Sequence, residues 1–287
     1  MKFNRPRRIQ GNLAVILTLL LGACAPAAPS ATPTAAATQP PLPSATALPT
    51  ATLSPSATPI PSATPLPPLQ VCSPLEGLTL AELPEILTQP FLMPRPGWDE
   101  GHQGTDFAYY RRGERIGMTG LPVYSVLNGR VAASLTSNTI YGNLVVIETP
   151  LNLLPADWVA KLQLPEPVPT VVPPSLVCPT ETAPTAWETN PQRSLYLAYG
   201  HLNLPSALQT GQTVQCGQAI GEVGSTGRSS DAHLHLEVRV GPSGAQFASL
   251  DHYTAAASDE ARRNYCTWRV SGLFQLQDPM RLLSTQP

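Results

Sequence analysis

Polar and apolar residues alternate along one stretch of the chain, His233-Leu234-His235-Leu236-Glu237-Val238-Arg239-Val240. Successive side chains of a β-strand point to opposite faces of a sheet, so this alternation predicts a strand. His233 and His235 would project together from one face of that strand, while Leu234 and Leu236 point into the core. The stretch therefore indicates a β-sheet domain whose polar face carries two histidines.

The rest of the folded part shows mostly strand signals, with further β-prone runs at residues 144–148, 195–202 and 218–223. Residues 122–126 lead through the Asn128-Gly129 dipeptide into residues 130–134, a pattern that predicts a β-hairpin. Helical periodicity is confined to short pieces near residues 80–87 and 255–264. We predict an all-β domain, an antiparallel sheet or sandwich with short peripheral helices.

The beginning of the chain has the pattern of an export signal followed by a spacer. Basic residues precede a short apolar run, residues 13–21, which is about half as long as a membrane-spanning helix. The run leads into Leu-Gly-Ala-Cys at residues 21–24, which resembles the lipobox of bacterial lipoproteins. We expect residues 1–23 to be a signal peptide and Cys24 to carry lipid. A plain secretory peptide with an incidental Cys24 is the alternative.

Residues 24–70 consist almost entirely of alanine, proline, serine and threonine. Such a segment has little apolar surface to bury, so we predict a disordered tether with a reach on the order of 100 Å. Residues 71–287 would then form the folded domain. This organisation places the domain in the cell envelope, outside the cytoplasm and anchored to a membrane through Cys24.

The charge pattern argues against a polyanionic partner. The formal net charge is −2, and lysine occurs only at Lys2 and Lys161. A nucleic-acid-binding surface needs clustered basic residues, and no long run of basic residues lies outside the first ten positions. We expect no nucleic-acid partner and a monomeric protein.

Two long segments, at about residues 150–191 and 241–272, interrupt the strand pattern and exceed the length of ordinary hairpin loops. They are either binding surfaces or surface decoration. The four cysteines after Cys24 are an even number in an exported domain, which suggests two disulfides with three possible pairings. We expect Cys72 to pair with Cys266, joining the domain ends, and Cys178 to pair with Cys216.

Four of the five histidines fall in three compact motifs. His102 is followed four residues later by Asp106, His201 ends a β-prone run, and His233 and His235 lie on the strand quoted above. Catalytic zinc takes three protein ligands from imidazole and carboxylate groups and keeps a fourth position open. The motifs offer more donors than ligation needs, which leaves two imidazoles to move protons.

In this order the three motifs resemble the lysostaphin-like, LytM-type zinc metalloendopeptidases of bacterial cell walls. The similarity covers about residues 94–149 and 194–283, and it includes residues 120–124, 129–131, 141–147, 211–221, 224–230 and Asp278-Pro279. The two inserts lie outside it. The resemblance implies one zinc ion held by His102, Asp106 and His235, with His201 and His233 as the catalytic histidines.

The resemblance implies an endopeptidase that hydrolyses peptide bonds in the stem or cross-bridge peptides of peptidoglycan. Glu237 lies two residues beyond His235 and is either an acceptor for an imidazole N–H or, more simply, a solvated carboxylate. Tyr199 and Arg228 are candidates for the rim of the site, and we expect His252 to be an ordinary surface residue. The alternative function is a non-catalytic wall-binding regulator that activates another peptidoglycan hydrolase. Such degenerate relatives typically lack zinc ligands, whereas every expected position is present here.

Overall fold

The computed structural model describes residues 68–165, 175–180, 184–285 and 287. The predicted signal peptide, Cys24 and nearly all of the predicted tether lie outside these residues. Leu69 and Val71 already pack against the core, so the packed chain begins no later than Leu69. No helix within the described residues has both the length and the apolar character required to cross a membrane.

Antiparallel strands make up most of the folded part, and the helices are short. The strands are β1 (Leu87–Gln89), β2 (Thr105–Phe107), β3 (Arg111–Arg112), β4 (Arg115–Ile116), β5 (Pro122–Tyr124), β6 (Gly129–Asn138), β7 (Gly142–Pro150), β8 (Arg193–Leu202), β9 (Thr213–Val214), β10 (Ala219–Glu222), β11 (Leu234–Pro242) and β12 (Gln275–Gln277). The α-helices are α1 (Ala156–Leu162), α2 (Asp259–Arg269) and α3 (Pro279–Ser284), and 3₁₀ turns occupy Leu83–Ile86 and Leu151–Leu153. The predicted all-β class with short helices is confirmed.

The main sheet has the strand order β1-β2-β11-β8-β7-β6-β9, and β12 pairs with the end of β11. Two further pairs, β5 with β10 and β3 with β4, lie outside this path. The strand predicted from the quoted alternation is β11, and its neighbours are β2 and β8. The strands β2, β11 and β8, which carry Asp106, His235 and His201, are therefore adjacent in the sheet.

The predicted hairpin around Asn128-Gly129 is wrong. β5 pairs with β10, while β6 pairs with β7 and β9. Asn128 instead accepts a hydrogen bond from the backbone N–H of Cys216 at 2.8 Å. A Cβ on Gly129 would lie 2.4 Å from the backbone oxygen of Glu148, so glycine is needed here for close strand approach rather than for a hairpin turn.

Both faces of the central strands are buried. On β8, Leu197 and Tyr199 face the main core, whereas Tyr196 and Ala198 face a second apolar cluster. That cluster includes Phe247, Leu250, Trp268 and Phe274, which lie in or just after the second insert. The second insert therefore forms a packed layer over the sheet and not a surface decoration. Tyr199 is fully buried, so the prediction that it lies at the rim of the site is wrong. Its hydroxyl accepts a hydrogen bond from the backbone N–H of Val126.

Helix α2 is the main element of this layer. Ser258 caps its N-terminus by accepting a hydrogen bond from the N–H of Ala261, and Asp259 and Glu260 place negative charge at the positive end of the helix dipole. The predicted helix near residues 255–264 exists but lies about one turn further along the chain. Its buried side chains include Trp268, which packs against Tyr196.

The disulfide pairing differs from the one predicted. Cys72 is bonded to Cys216, and Cys178 is bonded to Cys266. Cys72 donates its backbone N–H to the oxygen of Val126, and β9 brings Cys216 to the same edge of the sheet. The first bridge thus fixes the start of the domain to that edge. The second bridge joins the first insert to helix α2 of the second insert.

Candidate metal centre and active-site cleft

The register of three neighbouring strands assembles the site. Asp106 on β2 lies directly opposite His235 on β11, and Gly200 on β8 lies opposite His235 from the other side. His201 follows Gly200 and has a left-handed backbone with φ of 59°, which is uncommon for a residue other than glycine. Its backbone N–H donates to the oxygen of Tyr141. Sheet pairing therefore gathers residues that are far apart in the sequence.

Three side chains form a cluster that could hold a metal ion: His102, Asp106 and His235. One ligand atom from each lies within 4.8 Å of the others. The Nε2 atom of His102 is 3.0 Å from Oδ1 of Asp106, and Nδ1 of His235 is 2.7 Å from the same oxygen. Two imidazole nitrogens and one carboxylate oxygen are a donor set that fits zinc and leaves a coordination position open.

Hydrogen bonds orient both metal-binding imidazoles. Nδ1 of His102 lies 3.0 Å from the backbone oxygen of Pro90, and a carbonyl can only accept, so Nδ1 carries a hydrogen and Nε2 is the nitrogen that could ligate a metal. Nε2 of His235 lies 3.2 Å from Oε1 of Glu237, which leaves Nδ1 facing Asp106. In each imidazole the other nitrogen points into the cluster, where it could ligate a metal.

Glu237 is completely buried, which excludes the solvated alternative considered from the sequence. Its Oε1 accepts from the hydroxyl of Tyr141 at 2.9 Å, and its Oε2 accepts from Nε of Arg239 at 2.9 Å. Burial alone would raise the pKa of this carboxyl, but Arg239 and the hydrogen bond from His235 lower it well below its usual value. Glu237 is thus an ionised acceptor behind the His235 ring.

The remaining two motif histidines stand beside the cluster. The ring centroids of His201 and His233 are 4.7 Å apart. Nδ1 of His201 lies 2.7 Å from the oxygen of Thr226, and Nδ1 of His233 lies 2.8 Å from the oxygen of Asp231. Because both partners are carbonyls, both imidazoles carry a hydrogen on Nδ1, and Nε2 is the nitrogen that could accept a proton. Nε2 of His233 is 3.5 Å from Oδ2 of Asp106.

The protonation behaviour of these groups follows from burial and from their neighbours. Burial raises the pKa of Asp106, but hydrogen bonds from His102 and His235 more than reverse this and lower it. Burial lowers the pKa of His201 to about 4. Burial would also lower the pKa of His235, but its hydrogen bonds to Asp106 and Glu237 raise that pKa to about 9. Without a metal, a proton therefore occupies the centre of the cluster near neutral pH.

The cluster lies in a cleft with a cavity volume of about 640 Å³. Arg228 lines one part of it and is exposed, as expected for a rim residue. Another part is lined by four residues that belong to none of the sequence motifs: Asp99, Tyr253, Tyr265 and Arg269. All except Asp99 belong to the second insert, for which there was only a length signal. His252 lies outside this lining, and its ring nitrogen is 3.0 Å from the backbone oxygen of Val177 in the first insert.

Comparison with known proteins gave one family match. Residues 188–247 match the model of Peptidase family M23. The matched segment contains His201, His233 and His235, whereas His102 and Asp106 precede it and reach the same cleft through β2. A search of curated protein sequences gave no significant match.

Several solved structures are similar to part of the chain. A zinc-containing peptidase from Vibrio cholerae has 25% sequence identity over 53% of this chain and 32% of its own, with a TM-score of 0.31. A variant of the catalytic domain of the prophage-encoded M23 protein EnpA from Enterococcus faecalis has 21% identity over 60% of this chain and 92% of its own, with a TM-score of 0.33. The catalytic domain of lysostaphin from Staphylococcus simulans has 19% identity over 71% of this chain and 97% of its own, with a TM-score of 0.33.

This chain spans about one third of the length of the Vibrio cholerae protein. The match to the family model includes the His-x-His stretch from which the fold was predicted. The predicted resemblance to the LytM-type peptidases is thereby confirmed, and residues 188–247 of this chain are similar to Peptidase family M23.

Proposed function

We propose that this chain is a zinc-dependent endopeptidase that hydrolyses peptide bonds in the stem or cross-bridge peptides of peptidoglycan. The observation that carries the proposal is the joint presence of three converging ligand atoms and two further imidazoles in one cleft. The family match supports peptide-bond hydrolysis as the reaction class. Every position that the predicted chemistry requires is occupied by a residue able to perform it.

His102, Asp106 and His235 would hold the zinc ion. When bound, zinc supplies Lewis-acid polarisation of a peptide carbonyl and lowers the pKa of water at the open coordination position. Glu237 keeps the hydrogen of His235 on Nε2, so that Nδ1 is available as a ligand. The backbone oxygen of Pro90 accepts a hydrogen bond from Nδ1 of His102, so that Nε2 is available as a ligand.

His201 and His233 would move the protons of the reaction. Each has Nδ1 fixed by a backbone carbonyl and Nε2 free, which is the form required of a general base. One Nε2 would accept a proton from the attacking water, and an imidazolium would deliver a proton to the leaving amine. The pKa of His201 keeps this ring neutral, and therefore basic, across the neutral range.

The cellular setting remains a proposal drawn from the sequence. A lipidated Cys24 and the tether of residues 24–70 would hold a monomeric domain at the outer side of a membrane, within reach of the wall. Peptidoglycan peptides and the membrane are the proposed partners, with no nucleic acid among them. The regulator alternative uses the same location and differs only in lacking turnover.

Digestion of purified peptidoglycan fragments by the full chain tests this function. Mass analysis should show new peptide termini in the presence of zinc, none after treatment with a chelator, and recovery when zinc is restored. Lys161→Ala is the control, because this exposed residue of α1 lies outside the cleft lining. A chain that binds zinc but leaves every fragment intact would contradict the proposal, and stimulation of an added wall amidase by that inactive chain would favour the regulator.

A further inference from the structure

The second insert reaches the metal centre through the last residue of helix α2. NH1 of Arg269 lies 3.1 Å from Oε1 of Glu237, the oxygen that also accepts from Nε2 of His235. The same nitrogen lies 2.9 Å from the hydroxyl of Tyr141. That hydroxyl in turn lies 2.9 Å from Oε1 of Glu237. Three donors therefore converge on one carboxylate oxygen, and one of them comes from the insert.

Arg269 is itself held firmly in place. Its Nε donates to Oδ1 of Asp99 at 2.6 Å. The other oxygen of Asp99 accepts from the hydroxyls of Tyr253 and Tyr265 at 2.6 and 2.8 Å. The side chain of Arg269 is only 9% exposed, and that of Asp99 only 4%. A buried guanidinium with two carboxylate partners has little freedom to turn away from Glu237.

The covalent structure fixes the helix that carries this arginine. Cys266 lies three residues before Arg269 on α2 and is bonded to Cys178 of the first insert. Arg269 also lies outside residues 188–247, the segment that matches the peptidase family. The contact thus joins Glu237 of that segment to a residue of the second insert.

We infer that Arg269 is a positioning residue of the metal centre, which fixes the Glu237 carboxylate and through it the orientation of the His235 ring. The inference rests on the proposed function, because it gives the insert a role in holding the proposed zinc ligand. The physical reason is that partners behind a ligating imidazole set its tautomer and angle, and losing one typically weakens metal affinity about 10–100-fold. A purely structural arginine would stabilise the fold without altering the metal.

The test compares Arg269→Gln, Arg269→Lys and the control Arg263→Gln, made in the full chain. Arg263 lies on the same helix but outside the cleft lining. Zinc affinity is measured by competition with a chromophoric chelator, and the coordination geometry is measured by the visible absorption of the Co²⁺ form. Arg269→Gln should bind zinc about 10–100-fold more weakly and shift the Co²⁺ bands. Arg269→Lys should be intermediate, because one ammonium cannot reproduce a forked contact to two carboxylates.

Peptide hydrolysis gives a second readout. Arg269→Gln, saturated with zinc, should lose kcat with little change in KM, because the side chain of Arg269 is only 9% exposed and its hydrogen bonds are used by Asp99, Tyr141 and Glu237. Unchanged zinc affinity and unchanged Co²⁺ bands in folded Arg269→Gln would overturn the inference while leaving the proposed function intact. If this variant does not fold, Asp99→Asn decides by the same measurements, since it loosens Arg269 from the other side. A wild-type chain that binds no zinc would overturn the inference together with the proposed function.

Discussion

The Nδ1 atom of His235 lies 2.7 Å from Oδ1 of Asp106, although 129 residues separate the two in the chain. The antiparallel register of β2 against β11 places these two residues directly opposite each other. Because Asp106 is ionised and His235 carries a raised pKa, the pair attracts even without a metal. The cluster is therefore pre-organised by sheet pairing, and its properties can be tested by changing single members.

Removing a ligand should remove the metal. We expect Asp106→Ala and His235→Ala each to lower bound zinc from about one per chain to none and to abolish wall cleavage, because two remaining donors rarely retain catalytic zinc. Metal analysis of the purified variants after dialysis measures this. Lys161→Ala, at an exposed position outside the cleft lining, should retain both metal and activity. Full zinc occupancy in Asp106→Ala would mean that another group supplies the third ligand.

Substitution of a proposed catalytic histidine should leave zinc binding unchanged. His201→Ala is expected to keep zinc at the wild-type level and to lose about 100-fold or more in kcat, the usual contribution of a positioned acid or base. Parallel zinc analysis and peptide hydrolysis distinguish this variant from the ligand variants. The catalytic assignment would be wrong if His201→Ala cleaved the wall at the rate of the unmodified chain.

Features that depend on residues close together in the chain could be predicted from the sequence. Alternation of polar and apolar residues predicts β11 and the two faces that its side chains occupy, because a strand repeats every two residues. The Asn128-Gly129 dipeptide led to a wrong hairpin prediction, because a glycine can serve either a tight turn or the close approach of two strands. Only the strand order shows which of the two explains Gly129. The disulfide pairing was unpredictable for the same reason, since it depends on β9 lying beside β6.

The insert side of the cleft could not be predicted from the sequence. Arg269 forms a hydrogen bond with Asp99, although 170 positions separate them in the chain. Neither residue belongs to a periodic pattern or a spaced motif. Glu237 shows the limit most clearly. Its place on β11 was evident, but whether it faced solvent or a buried arginine depended on what covers that face of the sheet. Covering layers made from inserts leave only a weak signal in composition.

Zinc binding should release a proton at neutral pH. Burial alone would lower the pKa of His235, but its hydrogen bonds to Asp106 and Glu237 raise it to about 9 in the metal-free protein. Since the metal binds only neutral imidazole, apparent zinc affinity should fall as the pH drops below about 9 and level off above it. Titration calorimetry at pH 7 in buffers of different ionisation enthalpy should show about one proton released. Glu237→Gln should release less, because one cause of the raised pKa is gone, and the absence of any buffer dependence in the wild type would contradict this account.

Of two glycines that flank the His235 ring, one should tolerate an added methyl group and the other should not. A Cβ on Gly104 would lie 2.7 Å from two atoms of that ring and 2.6 Å from the backbone oxygen of Leu236, whereas a Cβ on Gly200 would make ordinary contacts of 3.6 Å. Gly104→Ala must therefore displace the ring or the strand. We expect it to cost about 1–3 kcal/mol in the free energy of unfolding of the metal-free protein, as overpacking usually does, and to weaken zinc binding.

Gly200→Ala is the matched control, because it adds the same methyl group beside the same ring. It should leave both the free energy of unfolding and zinc affinity nearly unchanged. Denaturant unfolding and chelator competition on both variants measure the difference. Equal behaviour of the two would show that the backbone at Gly104 does not lie as close to the His235 ring as 2.7 Å allows for a Cβ, and that this glycine has no role in setting the metal geometry.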